Sequence, residues 1–493
     1  MRSYPSMLRG GRRVKAILTA EARVEELFGF SGSLHANIWL TALNLQDNVS
    51  PGQDELRWPS RREGEPTASP LEDVPEADGF LPASPATVED CGLDFGFLAD
   101  LALKAVYADT SCTTQRAAQR LALPVGVVDT LLQHLYRERF IEIRETITPQ
   151  NRRYSMLDRG WERVRRLLDL NAYIGAAPVS LNAYTAMVNN QEQHRPPVTH
   201  DAVRTALANL VLPDTALQML GVVASSRRSL FITGAPGNGK TSIARALHSA
   251  LHGDIWIPRA IEVDGNIINV FDSHNHDPVE PQPATPYDQR WIKIRRPLVI
   301  VGGELTIESM DLTYDQTVKF YEAPFQVKSN GGTLLIDDFG RQRVEPRDLF
   351  NRWIIPLENR VDYLTLHTGK KIQVPFEQLL IFASNLASAD FAEEAFLRRL
   401  GYRLAAESPS PETYGCIFRK YVEARGLRHD PRLLDALLAR YTHEQREMRS
   451  CQPRDLVDRC ADICRYENRP LILTKELLER AWLYYFGAHQ APR

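Results

Sequence analysis

Apolar and polar positions change rhythm several times along the chain, and each change predicts a different kind of element. From Asp94, the stretch FGFLADLALKAVY sets Phe97, Leu101, Ala105 and Val106 on one face at helical spacing. TTQRAAQRLAL continues after a Thr/Ser-rich break, and PVGVVDTLLQHLYRERF aligns Val127, Leu131 and Leu135, with Pro124 suited to a first helical turn. FIEIRE and RRYSML read as two short strands around a polar TPQN turn, and LDRGWERVRRLLDL returns to helix. Further on, the short apolar runs SLFIT, TLLID and LLIFAS read as buried strands. AIEV and NIINVF flank Asp264-Gly265, while VDYLTL and KIQVPF flank HTGK; both pairs predict β-hairpins.

Residues 51–90 break every period. They carry seven prolines and ten acids against three arginines, the composition of a disordered acidic linker. The expected organisation is therefore a largely disordered segment and linker over 1–91, a helical and hairpin unit over 92–172, and a linker over 173–194. An α/β domain over 195–408 and a helical domain over 409–493 follow. A chain of 493 residues has length for two or three domains. Its 43% hydrophobic content and net charge of −3 show neither a nucleic-acid coat nor an acidic solvating tail.

No membrane span is expected, because the longest apolar stretch, 207–223, is broken by Pro213 and Asp214. The Arg-rich start lacks a secretory apolar region. Six cysteines without a CxxC pair point to a reducing cytoplasm. Two clusters mimic metal sites: Cys460 and Cys464 with Cys451 nearby, and His274 and His276 with Asp272 and Asp277. Packed thiols and solvated histidines are the expected reading of both.

Three helices, a two-stranded wing and a further helix resemble a winged helix-turn-helix domain. Its third helix would enter a DNA groove, yet Pro124 to Tyr136 offers no Lys or Arg, and only Gln133 and His134 as base readers. Arg144, Arg152, Arg153, Arg159, Arg163, Arg165 and Arg166 lie in the wing and the helix after it. Residues 94–170 hold twelve basic and ten acidic side chains, a weak footprint for phosphate backbone. Protein docking is the expected role, with DNA binding the alternative.

SLFITGAPGNGKT at 229–241 carries the chemistry. An apolar strand runs into Gly234, Ala235, Pro236, Gly237, Asn238, Gly239, Lys240 and Thr241, with Ser242 next, the GxxxxGK[ST] phosphate loop in its strand-to-helix setting. The glycines let backbone N–H groups cradle phosphate, Lys240 brings positive charge, and the Thr241 hydroxyl can ligate Mg²⁺. TLLIDD places Asp337 to hold Mg²⁺ and Asp338 to orient a water, so ATP and Mg²⁺ are the expected cofactors.

With these motifs the chain resembles the AAA+ ATPases. That resemblance assigns Asn385, ending LLIFASN, to sensor 1. It assigns Arg399, with Arg398 second, to the arginine finger offered to a neighbouring subunit, and Arg454 in QPRDLVDRC to sensor 2. The family pattern has Glu where Asp338 stands, one methylene longer. The hairpin before Asn385 looks like the pre-sensor-1 hairpin of the branch containing MoxR-like ATPases, and the GAFTGA loop of σ54 activators is absent. The long segment 254–330 includes Lys319, Phe320 and Tyr321, which read as packing residues or as a loop for a client.

The resemblance implies an α/β P-loop core, a parallel sheet flanked by helices, with a C-terminal helical lid. It also implies a homo-oligomeric ring, a hexamer, remodelling or maturing an unidentified protein client. A DNA-binding regulator or motor and a slow nucleotide-dependent switch are the alternatives.

Overall fold

The computed structural model describes residues 81–280, 286–385, 398–427 and 430–487. Most of the expected acidic linker, and everything before it, lies outside the described residues.

Helices α1 (Phe95–Tyr107) and α2 (Thr114–Leu121) begin where Asp94 and Thr113 accept hydrogen bonds from the N–H groups of Phe97 and Arg116. They are followed by α3 (Val125–Arg137), the antiparallel strands β1 (Ile141–Thr148) and β2 (Asn151–Met156), and α4 (Asp158–Leu170). Their apolar faces close on one core that includes Leu98, Leu103, Val128, Leu132, Tyr154 and Val164.

The expected linker at 173–194 is folded instead. Strand β3 (Val179–Ser180) pairs in parallel with Ile261 and Glu262. Helix α5 (Leu181–Gln193) buries Tyr184, Met187 and Val188, one helical face at i, i+3, i+4. The N-terminal segment also ends earlier than its composition implied. Val88 and Cys91 are buried, and the buried Arg290 guanidinium donates to Cys91 O at 2.8 Å.

Next come α6 (His200–Ala206), α7 (Asp214–Ser226), β4 (Leu230–Thr233), α8 (Lys240–Ser249), β5 (Asp254–Pro258), β6 (Ala260–Val263) and β7 (Asn266–Asn269). The chain continues through β8 (Trp291–Arg295), β9 (Leu298–Val301), β10 (Thr313–Asp315), β11 (Phe320–Glu322), α9 (Phe325–Lys328), β12 (Thr333–Phe339) and α10 (Pro346–Asn359). Strands β13 (Val361–Thr365), β14 (Lys371–Pro375), β15 (Leu379–Ser384) and β16 (Tyr402–Ala405) complete the α/β part.

The central sheet is parallel throughout, in the order β16-β4-β15-β12-β9. Its side chains alternate between two cores, as the strand period requires. Leu230 and Ile232 pack with Val203, Leu220 and Leu247 of α6 to α8. Phe231, between them, packs with Leu349, Phe350 and Trp353 of α10. Burial on both faces explains why these strands are continuously apolar.

Residues 254–330 supply much of a second sheet, ordered β10-β11-β7-β6-β3, beside the antiparallel pair β5-β8. The β6-β7 hairpin turns at Asp264 and Gly265, whose φ of +49° and +79° suit a two-residue turn. The expected hairpin before Asn385 is β13-β14. Its core is shared with the second sheet through Trp256, Ile268, Tyr321, Leu364 and Val374. Lys370 at its turn is ion-paired with Asp264.

Lys319, Phe320 and Tyr321 are packing residues. The Lys319 amine bonds Asp169 O, Phe320 meets Tyr173 edge-on, and Tyr321 is buried against His367.

Helices α11 (Pro411–Ala424), α12 (Pro431–His443), α13 (Gln452–Tyr466) and α14 (Lys475–Phe486) form the C-terminal lid around Tyr414, Phe418, Tyr441, Cys460 and Trp482. Burial pushes the Cys460 thiol up to about 12, so it packs as a neutral group. His276 is also buried, with Nε2 2.8 Å from Lys328 O. Among the described residues there is no cluster of three metal-ligating side chains, and no helix is long and apolar enough to cross a membrane.

Candidate nucleotide site

The site lies at the carboxyl ends of β4, β12 and β15, where open parallel sheets leave a crevice. Gly234, Gly237 and Gly239 turn the chain from β4 into α8 with φ of +147°, +85° and +82°. Side chains are excluded at two of these positions. A Cβ on Gly234 would stand 2.2 Å from Ala406 O, and one on Gly237 2.7 Å from Cys451 Sγ.

Helix α8 opens directly at Lys240, directing its positive end toward any anion in the loop. Lys240 Nζ donates to Gly234 O at 2.9 Å, Ala235 O at 3.1 Å and Asn385 Oδ1 at 2.6 Å. Burial lowers its pKa; Asp338 and Asp337 pull it back up. The Asp residues therefore help keep the ammonium charged.

Thr241 Oγ1 donates to Asp337 Oδ2 at 2.8 Å, which joins α8 to the end of β12. A hydroxyl and a carboxylate side by side are hard oxygen donors of the kind Mg²⁺ takes alongside water and phosphate oxygens, so this pair fits that ion. Asp338 sits in the left-handed region, φ +49°, and its Oδ1 accepts from Asn385 Nδ2 at 2.7 Å. Asn385 thus bridges Lys240 and Asp338.

Gly237, Gly239, Lys240, Thr241, Asp337, Asp338 and Asn385 line a cavity of about 430 Å³ with Pro236, Ser242 and Arg454, while Gly234 and Ala235 are absent from its lining. Asn238 turns away from it. Its Nδ2 donates to Ala406 O at 3.1 Å and Ser408 Oγ at 3.3 Å, fastening the loop to the chain that enters the lid. Arg454 comes from α13, with Nη2 3.1 Å from the neighbouring Asp455. Arg399 and Arg398 are absent from the lining. Arg399 pairs with Glu358 at the end of α10.

Three lining residues escaped the sequence reading of this site, Arg341, Ser450 and Cys451. Cys451 precedes α13, and its N–H donates to Gly237 O at 2.8 Å, a direct bond from lid to phosphate loop. The position just before the QPRDL helix was the available signal. For Arg341 it was a basic residue four places after Asp337.

The helical unit presents few free cations to a nucleic acid. Arg144, Arg152, Arg153, Arg159, Arg163 and Arg166 each pair with a carboxylate. Of the two expected base readers, Gln133 donates to Asp129 at 2.6 Å, and His134 meets Phe95 edge-on with ring centroids 5.0 Å apart.

Fold and sequence motif together define an α/β core with a phosphate-loop motif, a parallel five-stranded sheet flanked by helices, followed by a C-terminal helical region. Residues 410–483 match the family model described as Domain of unknown function (DUF8689). Among curated proteins, no sequence matches this one. Solved structures similar to it include NtrX from Brucella abortus in complex with ADP, 16% identical, covering 56% of each chain, with a TM-score of 0.34. The ATP complex of NtrX is 16% identical over 59% of each chain, TM-score 0.36. The Thermotoga maritima RuvB Holliday junction branch migration motor is 10% identical over 56% of this chain and 70% of that one, TM-score 0.32. The chain spans 56% to 59% of the length of these two NtrX structures.

Proposed function

We propose that this chain is a cytoplasmic, Mg²⁺-dependent ATP hydrolase that assembles as a homo-oligomeric ring and remodels or matures a protein partner. The hexamer and the pre-sensor-1, MoxR-like affiliation follow the sequence resemblance, and the unit at 92–172 acts as a winged-helix adaptor. One observation carries the hydrolase reading: Lys240 and Thr241, Asp337, and Asn385, from three separate stretches of sequence, converge on one cavity.

In this reading the loop backbone and Lys240 bind the phosphates, while Thr241 and Asp337 hold the metal ion. Mg²⁺, when bound, neutralises charge on the β and γ phosphates. Asp338 and Asn385 orient the attacking water, and Arg454 reaches the γ-phosphate from the lid. Arg399, or Arg398 in its place, acts on a neighbouring subunit's site. Such a finger raises turnover roughly 10³- to 10⁵-fold, so activity per chain rises with protein concentration. A pull-down with Asp338→Asn in ATP identifies the partner, because a stalled ring retains it. Specific activity independent of concentration, undiminished in Arg399→Ala, contradicts the ring.

A slow switch is the second reading, favoured by the short Asp338 carboxylate already held by Asn385 at 2.7 Å. A higher turnover in Asp338→Glu supports it, whereas robust wild-type turnover removes it. A DNA-directed role is weakened by the paired wing arginines.

A further inference from the structure

The turn after β12 carries a cation to the phosphate cavity. Asp338 and Gly340 both have positive φ, +49° and +96°, so the chain reverses sharply as the strand ends. Arg341 N–H closes the turn on Asp338 O at 3.1 Å. Gln342 then holds it at three points. Its Oε1 accepts from Gly340 N at 2.7 Å, and its Nε2 donates to Asp337 O and Asp338 O at 3.1 Å and 3.3 Å. A turn restrained in this way sets Arg341 into the lining beside Lys240 and the two carboxylates.

The other two lining cations are already engaged. Lys240 spends its three donors on Gly234 O, Ala235 O and Asn385 Oδ1, and Arg454 bonds Asp455. Among the described residues, the guanidinium of Arg341 has no recorded acceptor. The five charged side chains that line the cavity are Lys240, Arg341, Arg454, Asp337 and Asp338, a net charge of +1. Without Arg341 the lining is neutral, a poor match for a polyphosphate that stays negative even with its metal ion. A planar guanidinium also offers two parallel donors to phosphate oxygens, which an ammonium does not.

We propose that Arg341 grips the terminal phosphoryl group of a bound nucleoside triphosphate, in cis. Its place selects that group: it stands on the turn carrying Asp337 and Asp338, whereas the loop glycines serve the inner phosphates. The inference rests on the ATP hydrolase reading and adds a residue through which the site distinguishes triphosphate from diphosphate.

The test measures ATP affinity, ADP affinity and steady-state turnover for the full-length wild type, Arg341→Ala and Arg341→Lys. Losing a charge-assisted hydrogen bond should weaken ATP about tenfold or more, with ADP nearly unchanged. Arg341→Lys should recover part of the ATP affinity, and it keeps the test open if Arg341→Ala misfolds. An Arg341→Ala protein with the wild-type ratio of ATP to ADP affinity overturns the proposal. A wild type that binds neither nucleotide overturns the hydrolase reading instead.

Discussion

Lys240 Nζ lies 2.6 Å from Asn385 Oδ1, so the start of α8 and the end of β15 meet across 145 residues of chain. The other end of the same amide donates to Asp338 at 2.7 Å. Asn385 therefore sets the distance between Lys240 and Asp338, the groups proposed to bind phosphate and to orient water. Asn385→Ala should lower kcat roughly 100-fold, the scale of a lost proton-handling or orienting group, with a smaller change in ATP affinity. Steady-state kinetics beside nucleotide titration separate the two effects.

The folded N-terminal boundary depends on a buried ion pair. Arg290 and Asp288 are 6% and 3% exposed, 2.8 Å apart, and Arg290 also donates to Cys91 O and Pro178 O. Removing the arginine strands a buried carboxylate. Arg290→Ala should destabilise the protein by about 3–5 kcal/mol, and the Asp288→Ala, Arg290→Ala double variant should recover part of that loss. Denaturant unfolding of the three proteins checks both statements.

His248, on α8 behind the phosphate loop, has its pKa lowered from 6.5 to about 4, chiefly by burial, with Arg296 and Arg227 adding to the effect. The unfolded chain therefore binds a proton that the folded chain refuses between those pH values. Stability is retained above pH 6.5 and declines as pH falls toward about 4. His248→Asn should flatten this decline. Melting temperatures of both proteins from pH 7.5 to pH 4.5 provide the comparison.

The arginines of the β1-β2 hairpin are paired with carboxylates, Arg152 with Asp129 at 3.2 Å among them. Duplex DNA should accordingly bind weakly, without sequence selectivity, and lose affinity steeply with salt. A fluorescence titration of the full chain across a salt series measures this. Nanomolar, selective binding near physiological salt would return the DNA-directed reading to first place.

The phosphate loop was legible because its chemistry is local: glycines, lysine and threonine at fixed spacing between a strand and a helix. The central strands were legible because burial on both faces makes them continuously apolar. Residues 173–194 were not, since β3 is two residues long and its partner, Ile261, lies some eighty residues on. Composition also misled at 81–91, where acids and prolines hide an anchor made by Arg290 about two hundred residues away. Arg341 escaped for a related reason. Its place in the cavity depends on left-handed backbone at Asp338 and on the Gln342 side chain, neither of which a spacing rule contains.

The central claim is that Lys240 and its neighbours form a hydrolytic ATP site, and ATP turnover by the full chain in Mg²⁺, with Lys240→Ala beside it, tests that most directly. The wild type should hydrolyse ATP, and Lys240→Ala, stripped of the charge on the phosphates, should fall roughly 100-fold or more. Undiminished turnover in Lys240→Ala would contradict the account.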